Sequence, residues 1–505
     1  MKNFYSKYQL YFFLFFVIIL FFSFSAFTIL FQGPFGIHYI RQTDSISFVA
    51  NYYRNGFRFF HPEIFNLSII NGNNACEFPI FYYLTALLYK VLGEKEYLLR
   101  FWSFLFSFIS LIYLYLLANK WIKNNILATL VCLLCISSPI YLYYFFNFLP
   151  DSISLACTVI AWYYFTLFYE NNKQKHWIIA LGFFTLASLL KATYFLHPIA
   201  AFLALFFTIY FQNRKNLKIY FNRLFLISCF VSLCLLFFWY FFMYWYNNLN
   251  NAHYFTTSPL PYWETSYQGK KEVFDSIRNY WFSDYYYPSL IHVFYFLIGI
   301  HLVFWKKTDK IYNFLSVFLI LGLSVYFLLF FMQFKSHDYY MLNMYPLFWM
   351  IGILSFSKIN SFLPKKMNVF YILVLIVLLF ASVKHTQKKM EVRWNIDTSK
   401  DYYANIENKL KYTSLFIENH KISPKSKWII FTDRSPSGAL LKIKRKGWNI
   451  IDTIPETIHL YPYFLSQNPD YILFTDKSYL EKYRQKNMKL IGKEHNNYIY
   501  QILTE

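Results

Sequence analysis

Two acids stand out in a chain built largely of Phe, Leu, Ile and Tyr. Asp44 closes the run Arg41-Gln42-Thr43-Asp44, and Glu77 opens Glu77-Phe78-Pro79. Both lie in residues 32–97, a polar, aromatic stretch between the first two long apolar runs. A carboxylate close to hydrocarbon is costly and usually has a functional reason or a partner. Asp44 has the chemistry of a general base that takes a proton from an acceptor hydroxyl or amine within hydrogen-bond reach. Thr43 or Asp44 also fits a helix N-cap ahead of Ile46, Phe48 and Val49. Glu77 reads as a second acid beside the reaction centre, or as an acid that decorates a helix start.

Further polar residues interrupt the later apolar runs. Asp151 follows Pro150, where it can position substrate or a metal, or simply open a helix. Lys191 ends Ala187-Ser188-Leu189-Leu190 and suits a lipid phosphate as a point charge; snorkelling to the interface is the plainer alternative. Lys335 and His337 lie in Lys335-Ser336-His337-Asp338-Tyr339-Tyr340. They could complete a phosphate clamp, or form a polar loop with its tyrosines in the interfacial belt. Asp433 reads as a turn residue after a strand. Cys132 and Cys135 have CxxC spacing, but no second pair or His cluster supports a metal site. The six cysteines read as small apolar core thiols. No metal ligand set is assigned. No cofactor is expected to be required, although Asp44, Glu77 and Asp151 could take a divalent ion.

The elements that must position these groups are mostly membrane helices. The chain has 505 residues, of which 57% are hydrophobic, 24% aromatic and only 15% charged. A soluble protein of this size would struggle to hide so much apolar surface. Runs long enough to span occur at 10–31, 99–119, 125–145, 152–169, 177–194, 197–212, 224–246, 288–305, 311–333, 340–357 and 367–383, which is about eleven spans. Met1 to Lys7 is short and basic and the first run lacks a small-residue cleavage site, so it reads as an uncleaved span. Lys2 and Lys7 place the N-terminus inside, and each short connection then predicted inside is basic, from Lys120 and Lys123 to Lys358, Lys365 and Lys366. Residues 32–97, Asp151, Lys191 and the Lys335–Tyr340 stretch all fall on the opposite face.

The formal charge is +22. Much of it sits in the inside connections, so it reports topology, and no soluble basic module supports nucleic-acid binding. After residue 383 the pattern changes. Trp428–Thr432, Trp448–Ile451, Tyr471–Phe474 and Tyr498–Ile502 read as strands. Residues 436–444, 458–467 and 477–485 read as helices between them. This alternation predicts a small α/β domain over 384–505, with no phosphate-binding glycine loop, appended to a membrane domain over 1–383. A lid or acceptor-docking role suits it.

The whole pattern resembles GT-C glycosyltransferases, and family 39 in particular, which includes protein O-mannosyltransferases and the aminoarabinose transferases that act on lipid A. Arg41-Gln42-Thr43-Asp44-Ser45 resembles the family's first-loop acid motif, although Ser45 stands where a second acid is common. Glu77-Phe78-Pro79 resembles Glu-Lys-Pro-Pro, with Phe78 in place of the lysine and Ile80 in place of the second proline. Pro150-Asp151, Leu190-Lys191 and His337-Asp338-Tyr339-Tyr340 with Pro346 resemble later outer-loop motifs, and Arg445-Lys446-Gly447-Trp448 a tail segment of bacterial members. The resemblance implies a polytopic α-helical membrane protein of the GT-C type with a small C-terminal α/β domain outside the cytoplasm. It implies transfer of a sugar from a polyprenyl-phosphate carrier to a glycolipid, glycan or protein acceptor at the outer face of the plasma (inner) membrane, with inversion. Asp44 and Glu77 would be catalytic. Arg41, Asp151, Lys191, Lys335, His337, Tyr339 and Tyr340 would bind substrate.

Other classes compete. A transporter or flippase would favour internal repeats and polar residues at mid-membrane, and neither is visible. An O-antigen polymerase or ligase would favour arginines in large later loops, whereas residues 247–287 contain only Arg278. A membrane scaffold is the non-catalytic alternative.

Overall fold

Prolines set two sharp bends, one of them inside an apolar run that the sequence presents as continuous. The run 125–145 forms two helices, Asn125–Ile136 and Pro139–Phe145, at 80° to each other. Ser138 is extended (φ −79, ψ 126) and caps the second helix by accepting from Tyr141 N, because a residue before proline is kept out of the helical region. Tyr287 is likewise kept out of the helical region before Pro288 (φ −53, ψ 128), without a side-chain cap bond, where the helices over Tyr267–Tyr285 and Pro288–Val303 meet at 92°. The computed structural model describes residues 2–68, 70–212, 214–252, 254–255, 259–362, 364–394, 402–432, 435–450 and 459–503. Met1, Asp433, Ile451 and Ile458 lie outside them.

Among the described residues, six helices are long and apolar enough to cross a membrane, or up to eight if each bent pair is one span. The six include Tyr97–Ile122, Asp151–Asn171, Arg223–Leu249 and Val369–Trp394. The expected count of about eleven spans is not confirmed. The run at 10–31 contributes Lys2–Ser23 and a separate short turn of helix at Ala26–Ile29, with Ser25 left-handed at φ 54 between them. The run at 340–357 begins as the 3-10 segment Asp338–Met344 before the helix Tyr345–Phe362.

The chain divides into two compact units. One comprises Met1–Phe31, Arg100–Tyr240 and Ser258–Val392; the other comprises Gln32–Leu99, Phe241–Thr257 and Arg393–Glu505. The membrane helices of the first unit pack through an apolar core that includes Trp162, Phe168, Trp177, Phe184 and Leu319.

The second unit is built on a five-stranded sheet. Its strands are β1 (Trp428–Phe431), β2 (Gly447–Ile450), β3 (Tyr471–Phe474), β4 (Met488–Glu494) and β5 (Asn497–Ile502), in the order β2-β1-β3-β5-β4. The pairs β1–β2 and β1–β3 are parallel, while β3–β5 and β4–β5 are antiparallel. Helices Gly438–Ile443, Tyr461–Ser466 and Lys477–Tyr483 connect the strands, as alternation requires. Ile429, Phe431, Trp448, Ile472 and Phe474 fill the core on one face. Strand β4, which sequence reading misses, is an edge strand whose lysines and glutamate blunt pairing with other chains.

The grouping of residues 32–99 with the tail differs from a linear division at residue 383. Its cause is backbone pairing: Leu67 N donates to Gly447 O (2.7 Å), and Gly447 N to Phe65 O (3.1 Å). The outer stretch thus extends the β2 edge through a parallel bridge at Asn66 and Gly447.

Candidate functional site

Asp44 is not a cap. Its helix runs Tyr39–Arg54, entered through His38 at φ 60 with no side-chain cap bond. Gln42 ties down the entry instead, donating to Phe35 O (2.7 Å) and Ile37 O (3.0 Å). Asp44 therefore lies within the helix, and its neighbours Thr43 and Ser45 are buried with it. Only 1% of Asp44 is exposed. Tyr254 donates to its Oδ2 (2.9 Å), while Oδ1 has no hydrogen-bond partner among the described residues. Burial pushes its carboxyl up to about 6, against the pull of Arg41, Tyr254 and Ser437 and with a small push from Glu77. A group at that value is ionised at neutral pH and still basic enough to accept a proton, which is the poise of a general base.

Glu77 precedes the helix Ile80–Leu92 and is not part of its first turn. Arg41 donates to both of its oxygens at 2.5 Å, and Tyr82 donates to Oε1. The Arg41 guanidinium also lies over the Phe255 ring, 4.9 Å from its centroid. Glu77 is thus the counter-ion of Arg41, and the pair stands beside Asp44. The further Arg41 nitrogen, Nη1, is buried with no partner among the described residues.

The remaining candidates belong to the first unit. Asp151 opens the helix Asp151–Asn171 and is buried, yet it does more than start a helix. Its Oδ1 takes Lys191 Nζ at 3.1 Å. Lys191 follows the helix Gln174–Leu190 in extended backbone, and its ammonium sits 5.0 Å from the Tyr339 ring centroid and 4.8 Å from that of Tyr340. Rings at this range attract a cation by their quadrupole. His337 packs against both tyrosines, at 5.4 and 5.9 Å between centroids. The neighbouring Asp338 is fully buried and accepts from Tyr144 (2.5 Å). Lys335 takes another direction: it pairs with Glu272 at 2.7 Å on the surface, its side chain 44% exposed.

The structure therefore joins Asp44 with Arg41 and Glu77 in one unit, and Asp151 with Lys191, His337, Tyr339 and Tyr340 in the other. Sequence reading misses Tyr254, Ser437 and Tyr82. No local motif marks Tyr254 or Ser437, because each meets Asp44 only through the fold, and Tyr82 reaches back only five residues to Glu77 from the start of the helix Ile80–Leu92. Among the described residues no group of three or more His, Cys, Asp or Glu is placed to hold a metal ion.

Residues 76–245 match the family model described as dolichyl-phosphate-mannose-protein mannosyltransferase. The fold is similar to that of ArnT from Cupriavidus metallidurans bound to undecaprenyl phosphate, with TM-score 0.59 and 11% identity over 96% of this chain and 97% of that one. It is also similar to the Archaeoglobus fulgidus oligosaccharyltransferase in complex with Zn and sulfate, with TM-score 0.55 and 12% identity over 92% of this chain and 68% of that one. No curated protein matches the chain in sequence. The resemblance to GT-C glycosyltransferases thus holds in the fold and in a matched segment that includes Glu77, Asp151 and Lys191.

Proposed function

We propose that this chain is a membrane glycosyltransferase that moves a sugar from a polyprenyl-phosphate carrier to an acceptor hydroxyl or amine on the extracytoplasmic side, in one inverting step. The observation that carries the reading is Asp44: a buried carboxyl on a helix, held at one oxygen by Tyr254 and, among the described residues, without a hydrogen-bond partner at the other. In this reading the acceptor O–H or N–H donates to Oδ1, the carboxylate takes the proton, and the acceptor attacks the anomeric carbon. The phosphate leaves with the bonding electron pair. Arg41 and Glu77 hold each other and keep the acid flanked by a fixed, balanced pair.

Lys191 serves the carrier phosphate. Asp151 and the two tyrosines orient its ammonium, and preorganised charge of this kind stabilises a leaving phosphate. The segment Asp338–Met344, which bears Tyr339 and Tyr340, also supplies Met341 and Met344 to an apolar cavity of about 290 Å³ that Phe274, Phe294, Phe327 and Phe348 help line. Such a wall suits an isoprenoid chain. The similarly folded ArnT holds undecaprenyl phosphate in its crystal structure, which supports a carrier of this class. The basic connections of the sequence support an outer position for the Asp44 stretch and the tail. No comparable support favours a flippase or polymerase.

Mass analysis of a deletion strain tests this reading. The surface glycan should lack one sugar, and the lipid extract should accumulate the same sugar on polyprenyl phosphate. An unchanged glycan together with an unchanged lipid pool refutes it.

A further inference from the structure

The tail reaches the candidate base directly. After β1 the chain turns through Ser435, Pro436 and Ser437 into the helix Gly438–Ile443. The Ser435 hydroxyl lies 3.2 Å from that of Thr43, the residue before Asp44, and accepts from Gly438 N (2.9 Å). Its carbonyl accepts from Asn449 Nδ2 (2.6 Å). Gly438 makes the approach possible: a Cβ there would stand 2.9 Å from Tyr39 Cε1 and 2.8 Å from Ser435 Oγ. The turn is thus fastened to the Asp44 helix on one side and to strand β2 on the other.

Ser437 is fully buried, and its hydroxyl has no hydrogen-bond partner of ordinary geometry among the described residues. It nevertheless stands close enough to act on the Asp44 carboxyl, whose Oδ1 is equally unpartnered. Two buried polar atoms with unused capacity, side by side, are costly unless they serve each other or a ligand. A hydroxyl proton rotates freely to suit such a partner.

We propose that the Ser435–Gly438 turn is a built part of the Asp44 site, and that Ser437 is a positioning residue whose hydroxyl donates to Asp44 Oδ1 until an acceptor takes that oxygen. The tail then contributes to the chemistry itself. This rests on Asp44 being the base. Among the described residues, four groups face the carboxyl: Arg41 on its own helix, Glu77 ahead of the helix Ile80–Leu92, Tyr254 beyond the helix Arg223–Leu249, and Ser437 from the tail. Arg41, Tyr254 and Ser437 favour the ionised form, and Glu77 opposes it. Removing the Ser437 hydroxyl must therefore make Asp44 harder to ionise.

The test uses the full chain in detergent and dicyclohexylcarbodiimide, an apolar reagent that modifies protonated carboxyls. Modification of Asp44, followed by peptide mass spectrometry across pH, should fall with a midpoint near about 6. Ser437→Ala should raise the midpoint by about one pH unit, and Ser437→Thr should keep the wild-type value. Gly438→Ala retains every hydroxyl but forces the turn off Tyr39, so it should also raise the midpoint and serves if Ser437→Ala does not fold. An unmoved midpoint in whichever of these two variants folds overturns the proposal. The labelling involves no sugar transfer, so the two readings fail separately. An active Asp44→Asn removes the base, whereas an inactive Asp44→Asn together with an unmoved Asp44 midpoint in Ser437→Ala or Gly438→Ala removes only the role of Ser437.

Discussion

Asp44→Asn should stabilise the protein, and by an amount that depends on pH. Burial raises the Asp44 carboxyl to about 6, roughly two pH units above an ordinary aspartate, which corresponds to about 3 kcal/mol. Its folded-state value exceeds its unfolded one. The stability it contributes is therefore fully present only below about pH 4 and is lost as pH rises through about 6. Asparagine keeps the shape and an acceptor for Tyr254 but carries no charge to bury. The variant should match wild type near pH 4, gain through pH 5 to 6, and plateau at about 3 kcal/mol above pH 7. Thermal unfolding in detergent at about pH 4.5, 6 and 8, read by tryptophan fluorescence, measures this as a rising difference in midpoint. A variant less stable than wild type at neutral pH, or one whose difference ignores pH, refutes the claim that the fold holds this carboxylate at a cost. Such a cost, kept in a buried position, is the mark of a residue retained for activity rather than stability.

Three other outcomes follow from the same geometry. Transfer activity should fall about tenfold per unit below about pH 6 as Asp44 takes up its proton, and Arg41→Ala should move that limb upward, because Arg41 is the largest favourable influence on the ionised form. Lys191→Ala should lower kcat/KM for the lipid-linked donor about a hundredfold, with Lys191→Arg recovering only part, because a planar fork does not replace a point charge between two rings. Lys335→Ala should change transfer by less than about threefold, since its exposed pair with Glu272 is a surface contact that solvent screens; sugar-transfer assays on membranes measure both lysines.

Much of the fold was legible because apolar length and strand alternation are local signals. Tyr471–Phe474 forms a strand over its expected range, and the helices expected near 440, 463 and 480 are present. The bend at Pro139 was also written in the sequence, but apolar length masks it when 125–145 is read as a single span. Asp44 was legible as a costly acid in an apolar chain. Its place inside a helix was not, because the helix starts at Tyr39 through a left-handed His38 rather than through a side-chain cap. Tyr254 and Ser437 were illegible for a different reason: one tyrosine among 48 and one serine in a turn carry no sign that the fold carries them to residue 44. The union of residues 32–99 with the tail rests on backbone hydrogen bonds at Phe65, Leu67 and Gly447, and backbone pairing leaves no trace in side-chain pattern.

Asp44 as the base is the point on which the proposed transfer depends most directly. A deletion strain complemented with wild type or with Asp44→Asn, at matched protein levels, gives the decisive comparison when surface glycans are weighed by mass spectrometry. Wild type should restore the missing sugar and Asp44→Asn should not, although the variant folds at least as well. Equal restoration by both would contradict this role, leaving Asp44 a buried acid with no part in transfer.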